Sequence, residues 1–129
     1  VEEAQEEAAI VIENLADYDV PYPVVFDVEM ITGQDGRANN LTMQERTDIT
    51  IAFCDAVKAA GYTPIIYGNV KCFTKMLDMT KLEQYEKWYA FYDKYMYFPY
   101  EVSMWQYTEK GTVDGIEGMV DMNIAYKQW

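Results

Sequence analysis

The stretch "YPVVFDVEM", residues 22–30, predicts a buried β-strand that ends in two acidic residues. Side chains alternate along a strand, so one face carries Val24, Phe26 and Val28 and the other carries Val25, Asp27 and Glu29. Apolar residues on both faces are typical of a parallel strand that is covered on both sides. We therefore expect this strand to belong to a parallel sheet, with Asp27 and Glu29 at its carboxyl end.

Amphipathic helices are predicted before and after this strand. Residues 1–16 repeat apolar residues at helical spacing, with Ala8, Val11, Ile12 and Leu15 on one stripe. Residues 42–60 do the same, with a stripe of Ile49, Phe53, Ala56, Val57 and Ala60. The second helix also has clear ends, because Thr42 and Glu45 form a capping-box pattern and Gly61 is a natural stop.

Further elements follow at similar spacing. Strands are predicted in "YTPIIYGN" (62–69), "KWYAFY" (87–92) and "VSMWQYT" (102–108), with a last short strand near the end. Between the first two of these strands, "VKCFTKMLD" (70–78) reads as helical, and Thr80 with Glu83 suggests a capping box for a short helix. Strands that alternate with helices predict βαβ units and a parallel sheet, here within one domain. Residues 31–40 are expected to form a solvated loop.

Composition excludes several classes of function. The net charge of −12 argues against nucleic acid or an anionic membrane as a partner, since both attract positive surfaces. No apolar run is long enough for a transmembrane helix, and no signal-peptide pattern is visible. The chain has no histidine, which excludes Ser-His and Cys-His nucleophiles and His-ligated metal sites. Cys54 and Cys72 are expected to be a buried reduced pair, with a disulfide as the alternative.

The two acids suggest chemistry on sugars. Asp27 and Glu29 project from the same face with Cβ atoms about 6.6 Å apart. Like charges at that distance raise the proton affinity of at least one group, so one carboxyl can act as a general acid beside an ionised partner. Glycoside hydrolysis needs that division of roles. A loop start, a helix cap or a weak Ca²⁺ contact are the plainer alternatives.

The order of these motifs resembles glycoside hydrolase family 25, the N-acetylmuramidases. The resemblance is carried by "YPVVFDVE" (22–29), the run from Arg46 to Tyr67, "WYAFY" (88–92) and "MWQYTEKGTVDGIEGMVDMN" (104–123). It implies a partial irregular β/α (TIM-like) barrel and hydrolysis of the β-1,4 bond between N-acetylmuramic acid and N-acetylglucosamine in bacterial peptidoglycan. It implies no cofactor and a secreted or cell-wall location. No metal site is expected, because residues 33–40 lack the regular spacing of acidic ligands in an EF-hand.

Site residues follow from the resemblance one by one. Glu29 matches the general acid and Asp27 its partner carboxylate, while Asp121 in "VDMN" matches a further acid of the cleft. Tyr67 and Trp105 fall where the family has aromatic cleft residues, although a place in the core is as good an expectation for each. The loop "DKYMYFPYE" (93–101) is expected to pack in the ordinary way, with saccharide contact as the alternative.

The chain departs from the family in one respect. A β/α barrel usually takes about 250 residues, and no Gly-x-Asp-x-Ser strand precedes Asp27. Residues 1–129 are therefore expected to be the carboxyl-terminal part of a catalytic domain. Half a barrel exposes sheet edges, so we expect self-association or a strong deviation from a closed barrel. A non-catalytic saccharide-binding module and a chitinase-like hydrolase are the competing functions.

Overall fold

A curled five-stranded sheet organises the fold in this computed structural model, which describes residues 1–30, 33 and 36–129. The strands are β1 (Val24–Asp27), β2 (Pro64–Asn69), β3 (Glu86–Ala90), β4 (Met104–Gly111) and β5 (Val120–Ala125). They lie in the order β1-β2-β3-β4-β5; the first four are parallel and β5 is antiparallel to β4. The sheet forms an open half-barrel, which confirms the predicted partial TIM-like barrel with mostly parallel strands.

Two α-helices flank the sheet. They are α1 (Glu2–Leu15) and α2 (Met43–Ala59), close to the predicted positions. Helix α2 packs on the outer face of β1 and β2, and α1 packs on α2. The capping box of α2 is confirmed, because the Thr42 side chain accepts from the Glu45 N–H while the Glu45 carboxylate accepts from the Thr42 N–H. Gly61 follows the helix with φ +93°, the left-handed conformation expected of a stop. No described helix has the length and apolar character needed to cross a membrane.

Three short helical segments connect these elements: Arg37–Asn40, Cys72–Met76 and Met79–Lys81. The second confirms the helical reading of residues 70–78. The predicted capping box of Thr80 and Glu83 is wrong, because the side chain of Asp78 caps the third segment by accepting from the Thr80 N–H at 3.2 Å. That single turn ends at Leu82, before Glu83 could take part. Of the predicted loop at 31–40, residues 31, 32, 34 and 35 lie outside the described residues, and the described end of it forms the helical segment Arg37–Asn40.

The core lies between the outer face of the sheet and the helices. Val24, Ile66 and Tyr89 from three neighbouring strands belong to it, and α2 contributes Phe53 and Val57. Two polar side chains of α2, Thr47 and Thr50, are also fully buried, because their hydroxyls donate to backbone carbonyls one turn earlier in the helix. The buried stripe of α2 therefore includes Thr47 and Thr50, which were not predicted, and it lacks the predicted Ala60, which is exposed.

The expectation that β1 is covered on both faces is wrong. β1 is an edge strand, paired with β2 alone. Val25 is 38% exposed and Asp27 is also exposed, because their face is turned into the open inside of the half-barrel. An open cavity beside Val25 and Asp27 is bordered by Glu7, Ile10 and Val11 of α1. The inner face is therefore accessible to other molecules along β1, whereas Ile65 of β2 on the same face is fully buried.

Cys54 and Cys72 are free thiols, both buried, so the reduced pair is confirmed. Burial is the main cause that raises the pKa of each to about 12. Cys72 packs tightly on β2, where a Cβ at Gly68 would lie 2.6 Å from the Cys72 Sγ. The glycine is therefore required by the close approach of this thiol.

Candidate active site

Parallel register brings side chains of three strands together on the inner face. Asp27 of β1 pairs with Tyr67 of β2, and Tyr67 pairs with Trp88 of β3. Paired residues of neighbouring strands project from the same face of a sheet. A row that consists of a carboxylate, a phenol and an indole therefore crosses the inner face near the carboxyl ends of the strands.

Asp27 and Glu29 lie at one end of this row. The ladder continues one residue past β1, because the Val28 N–H donates to the Tyr67 carbonyl at 3.1 Å, and this extended backbone keeps Glu29 on the side of Asp27. Asp27 is exposed as a residue, yet partial burial of its carboxyl raises its pKa, and the negative charge of Glu29 raises it further. The two acids are therefore close enough for the charge of Glu29 to act on Asp27, in keeping with their spacing in the sequence.

Tyr67 connects the acids with the middle of the sheet. Its ring contacts Trp88 edge-on, with centroids 5.0 Å apart, and its hydroxyl donates to Oε1 of Gln106 on β4 at 2.9 Å. Burial raises the pKa of Tyr67, and the negative charges of Glu29 and Asp27 act in the same direction. Tyr67 therefore lies within electrostatic reach of both carboxylates, in keeping with the cleft position that its sequence context allowed.

The far side of the row is formed by β5. Asn123 pairs with Gln106 and accepts a hydrogen bond from the Trp88 indole N–H at 2.9 Å. Asp121 lies two residues earlier on the same strand and so on the same face. Its charge helps to raise the pKa of Tyr92, after the larger effect of burial. The structure thus brings Asp121 to the same cluster as Asp27, Glu29 and Tyr67.

Trp105 does not join this cluster. It pairs with Tyr89, which is fully buried on the outer face, and it is itself only 9% exposed. Its indole N–H donates to the Phe91 carbonyl at 2.8 Å. Because Gln106, the next residue along β4, points to the inner face, Trp105 must point to the outer one. Of the two places that the sequence left open for Trp105, the core is the one observed.

The space around the acids is open. A cavity of about 80 Å³ is lined by both Asp27 and Glu29 and by Arg46 of α2, and it is too small for a sugar ring. A cavity of about 660 Å³ lies at the opposite ends of β3 and β4, beside Lys87 and Ser103, and contains none of the clustered acids. We base the candidate site on the acids rather than on this larger cavity, because only the inner face combines them with open surface.

Comparisons with known proteins identify the family. The family model described as glycosyl hydrolases family 25 matches residues 1–116. The chain belongs to this family. The resemblance inferred from the order of the sequence motifs is thereby confirmed.

Relatives of this family 25 chain include an endopeptidase, an endolysin and an autolysin. A curated relative, "D-alanyl-L-alanine endopeptidase" of Streptococcus phage B30, is 32% identical over 127 residues, which are 88% of this chain and 27% of the relative. Among solved structures, the CTP1L endolysin has a TM-score of 0.72 at 29% identity, covering 95% of this chain and 41% of that one. The autolysin LytC of Streptococcus pneumoniae has a TM-score of 0.79 at 26% identity, covering 95% and 30%. The chain therefore spans about a quarter to two-fifths of the length of these proteins.

Four polar or aromatic residues of the cluster escaped the sequence analysis of this family 25 chain: Trp88, Tyr92, Gln106 and Asn123. Gln106 offered a usable signal, since an amide between Trp105 and Tyr107 is unusual in an otherwise apolar strand. Trp88 offered none, because Trp88 and Tyr89 are adjacent aromatics and only the register decides which one faces inwards.

Within the described ranges, no three acidic or cysteine side chains are placed to hold a metal ion.

Proposed function

We propose that this chain supplies the catalytic acids of a peptidoglycan hydrolase that cleaves the β-1,4 bond between N-acetylmuramic acid and N-acetylglucosamine. The observation that carries the proposal is the pair of acids on the open inner face, where burial and the charge of Glu29 raise the pKa of Asp27. Membership of family 25 and the likeness to an endolysin and an autolysin support peptidoglycan as the substrate.

In this proposal Glu29 is the general acid and Asp27 its partner. Burial, and to a lesser extent the charge of Glu29, raises the pKa of Asp27, so Asp27 retains its proton to higher pH than an isolated aspartate would. Glu29 lies beyond the end of β1 and is exposed, so its carboxyl can reach the glycosidic oxygen of a bound saccharide. Asp27, once ionised, stabilises the positive charge that develops on the sugar.

Substrate contacts are assigned to Tyr67, Trp88 and Asp121. Sugar rings present C–H faces that pack against aromatic rings, and Trp88 is half-buried beside Tyr67 with its indole N–H held by Asn123. Trp105 is left out of the proposed cleft because it faces the core. Asp121 offers a carboxylate at the far side of the row to the hydroxyl or amide hydrogens of a saccharide.

The name of the phage relative suggests peptide-bond cleavage as another function, but the residues of this chain do not support it. The name describes a protein of which this chain covers only 27%. A Cys-His nucleophile is excluded, since the chain has no histidine and both thiols are buried. A non-catalytic saccharide-binding module remains the second candidate, and binding of wall fragments without cleavage would favour it.

The decisive experiment measures clearing of bacterial cell walls by the full-length protein that contains this chain. Glu29→Gln removes the acid and keeps its size, and we expect the rate to fall about 100- to 10,000-fold. Glu13→Gln, the same change at an exposed position of α1, is the matched control and should leave the rate unchanged. New reducing ends should be muramic acid; chitooligomer products would favour a chitinase-like enzyme. A Glu29→Gln protein with the normal rate would contradict the proposal.

Location and assembly follow from the same proposal. A protein that hydrolyses peptidoglycan acts at the cell wall or outside the cell, so we propose a secreted or wall-associated protein. The unpaired edge of β1 is an exposed strand edge of the kind that proteins usually cover. We propose that copies of the chain associate along this edge, and a monomer in gel filtration would contradict this.

A further inference from the structure

Gln106 occupies the centre of the polar cluster on the inner face. It is only 4% exposed, and its side-chain oxygen accepts hydrogen bonds from two hydroxyls, that of Tyr67 at 2.9 Å and that of Tyr92 at 2.7 Å. The three residues come from β2, the segment after β3, and β4. One buried atom therefore holds together three separate parts of the chain next to the proposed catalytic acids.

The side-chain oxygen of Gln106 determines the donor-to-acceptor direction of the hydrogen bonds in the cluster. The two hydroxyls lie close to each other, since the neighbouring Tyr92 helps to raise the pKa of Tyr67 after the larger effect of burial. Two protons thus serve three oxygens, and either hydroxyl could donate to the other. The amide oxygen carries no proton and can only accept, so the chain of hydrogen bonds must end at Gln106.

We propose that Gln106 is a positioning residue that draws the hydroxyl protons of Tyr67 and Tyr92 away from Asp27 and Glu29. The phenolic oxygens then present lone pairs to the acids and to N–H or O–H donors of a bound saccharide. This inference rests on the proposed function and deepens it, because it assigns the direction of hydrogen bonding in the cleft.

The direction of these hydrogen bonds matters for the protonation of the neighbouring acids. A tyrosine that donated to a carboxylate would stabilise its ionised form and lower its pKa. With the hydroxyl protons committed to Gln106, the acids receive no such stabilisation from these two tyrosines. The Tyr67 hydroxyl stays protonated over the working range, because burial and the neighbouring negative charges raise its pKa.

Two substitutions of different chemistry test this role in the full-length protein. Gln106→Glu keeps an acceptor of nearly the same shape, whereas Gln106→Met keeps the length and removes the acceptor. We expect kcat for wall hydrolysis to fall about 10- to 100-fold in Gln106→Met, with a smaller change in KM. In Gln106→Glu we expect most of kcat to remain and the pH profile to move to higher pH, because another negative charge raises the pKa of the acids. The reverse ranking would mean that the amide N–H faces the tyrosines, and it would overturn the proposal.

A double-mutant cycle separates this proposal from the proposed function. If Gln106 acts through the tyrosines, Gln106→Met should cost little further activity in a Tyr67→Phe, Tyr92→Phe background. The same cycle can be measured as changes in the free energy of unfolding in urea, which tests the hydrogen bonds even if the protein has no activity. An unsubstituted protein that does not cleave walls would refute the proposed function. If the changes in the free energy of unfolding are additive, the hydrogen-bonded cluster is refuted. If they are not additive, but kcat and the pH profile are unchanged in both Gln106 variants, Gln106 has only a structural role and the proposal is refuted.

Discussion

The two faces of the sheet are built from alternate residues of the same strands, yet different interactions hold them. On the outer face, Ile66 and Tyr89 are fully buried against the helices. On the inner face, their sequence neighbours Tyr67 and Trp88 are half-buried and are held by ring contact and by hydrogen bonds to Gln106 and Asn123. Apolar burial gives the fold its stability, and directional polar contacts place the groups of the proposed site.

The largest expected contrast comes from removing one aromatic side chain from each face. Phe53→Ala empties a core position whose ring lies 4.7 Å from that of Phe26, and it should lower the free energy of unfolding by about 3–5 kcal/mol. Trp88→Ala on the inner face should cost less stability but most of the wall-clearing rate. Urea unfolding and turbidity assays measure both quantities. Equal losses of stability would show that the inner face also belongs to the core.

A smaller contrast compares two buried tyrosines. The Tyr85 hydroxyl donates to Asp55 Oδ1 at 2.7 Å, whereas the buried hydroxyl of Tyr89 has no hydrogen-bond partner among the residues that the structure describes. Tyr85→Phe should therefore lower the free energy of unfolding by about 1 kcal/mol, and Tyr89→Phe should be neutral or raise it by about 1 kcal/mol. Each variant is the control for the other, since both lose one hydroxyl. A loss of stability in Tyr89→Phe would mean that its hydroxyl has a partner.

Asp27→Asn should show that the inner face carries a cost in stability. The folded-state pKa of Asp27 is raised above its ordinary value of 3.8, so the folded protein binds more protons than the unfolded one between 3.8 and the raised pKa. Stability therefore falls as the pH rises through this window, and the loss persists at neutral pH. We expect Asp27→Asn to have a higher Tm than the unsubstituted protein at pH 7 and the same Tm near pH 3. Exposed Asp17→Asn is the control; a lower Tm for Asp27→Asn at pH 7 would contradict the expectation.

The smallest effect on activity is expected from labelling of the two buried thiols. Burial raises the pKa of Cys54 and of Cys72 to about 12, and the negative charge of Asp27 adds to the effect at Cys72. Because the thiolate is the reactive form, iodoacetamide at pH 8 should label neither thiol in the native protein and both in denaturant. Mass spectrometry measures the labelling, and wall-clearing activity should be unchanged. Rapid native labelling of Cys72 would show that solvent reaches it from the inner face.

Local patterns predicted much of the fold. The helices follow from apolar spacing and from the capping box at Thr42 and Glu45, both of which act within a few residues. The predicted capping box of Thr80 and Glu83 was wrong because the side chain of Asp78 accepts from the Thr80 N–H. In a capping box, the Glu83 side chain would accept from that N–H. Whether residues 1–129 are the carboxyl-terminal part of a catalytic domain stays a prediction.

The site was predicted only in part. The spacing of Asp27 and Glu29 predicted that they influence each other, because side chains two apart on an extended chain share a face. The aromatic partners were beyond such reasoning. Trp105 and Trp88 both lie in strands rich in aromatics, and the sequence gives no reason to send one to the core and the other to the cleft.

The sequence by itself determined the helices, the order of the strands along the chain, the charge and the two neighbouring acids, because each depends on residues close together in the chain. Only the tertiary structure decided which strand lies at the edge, that Trp88 rather than Trp105 faces the acids, and that Gln106 joins Tyr67, 39 residues away in the chain, to Tyr92. The physical reason is register: the pairing of strands fixes which face each side chain joins, and a shift of one residue would exchange the two faces.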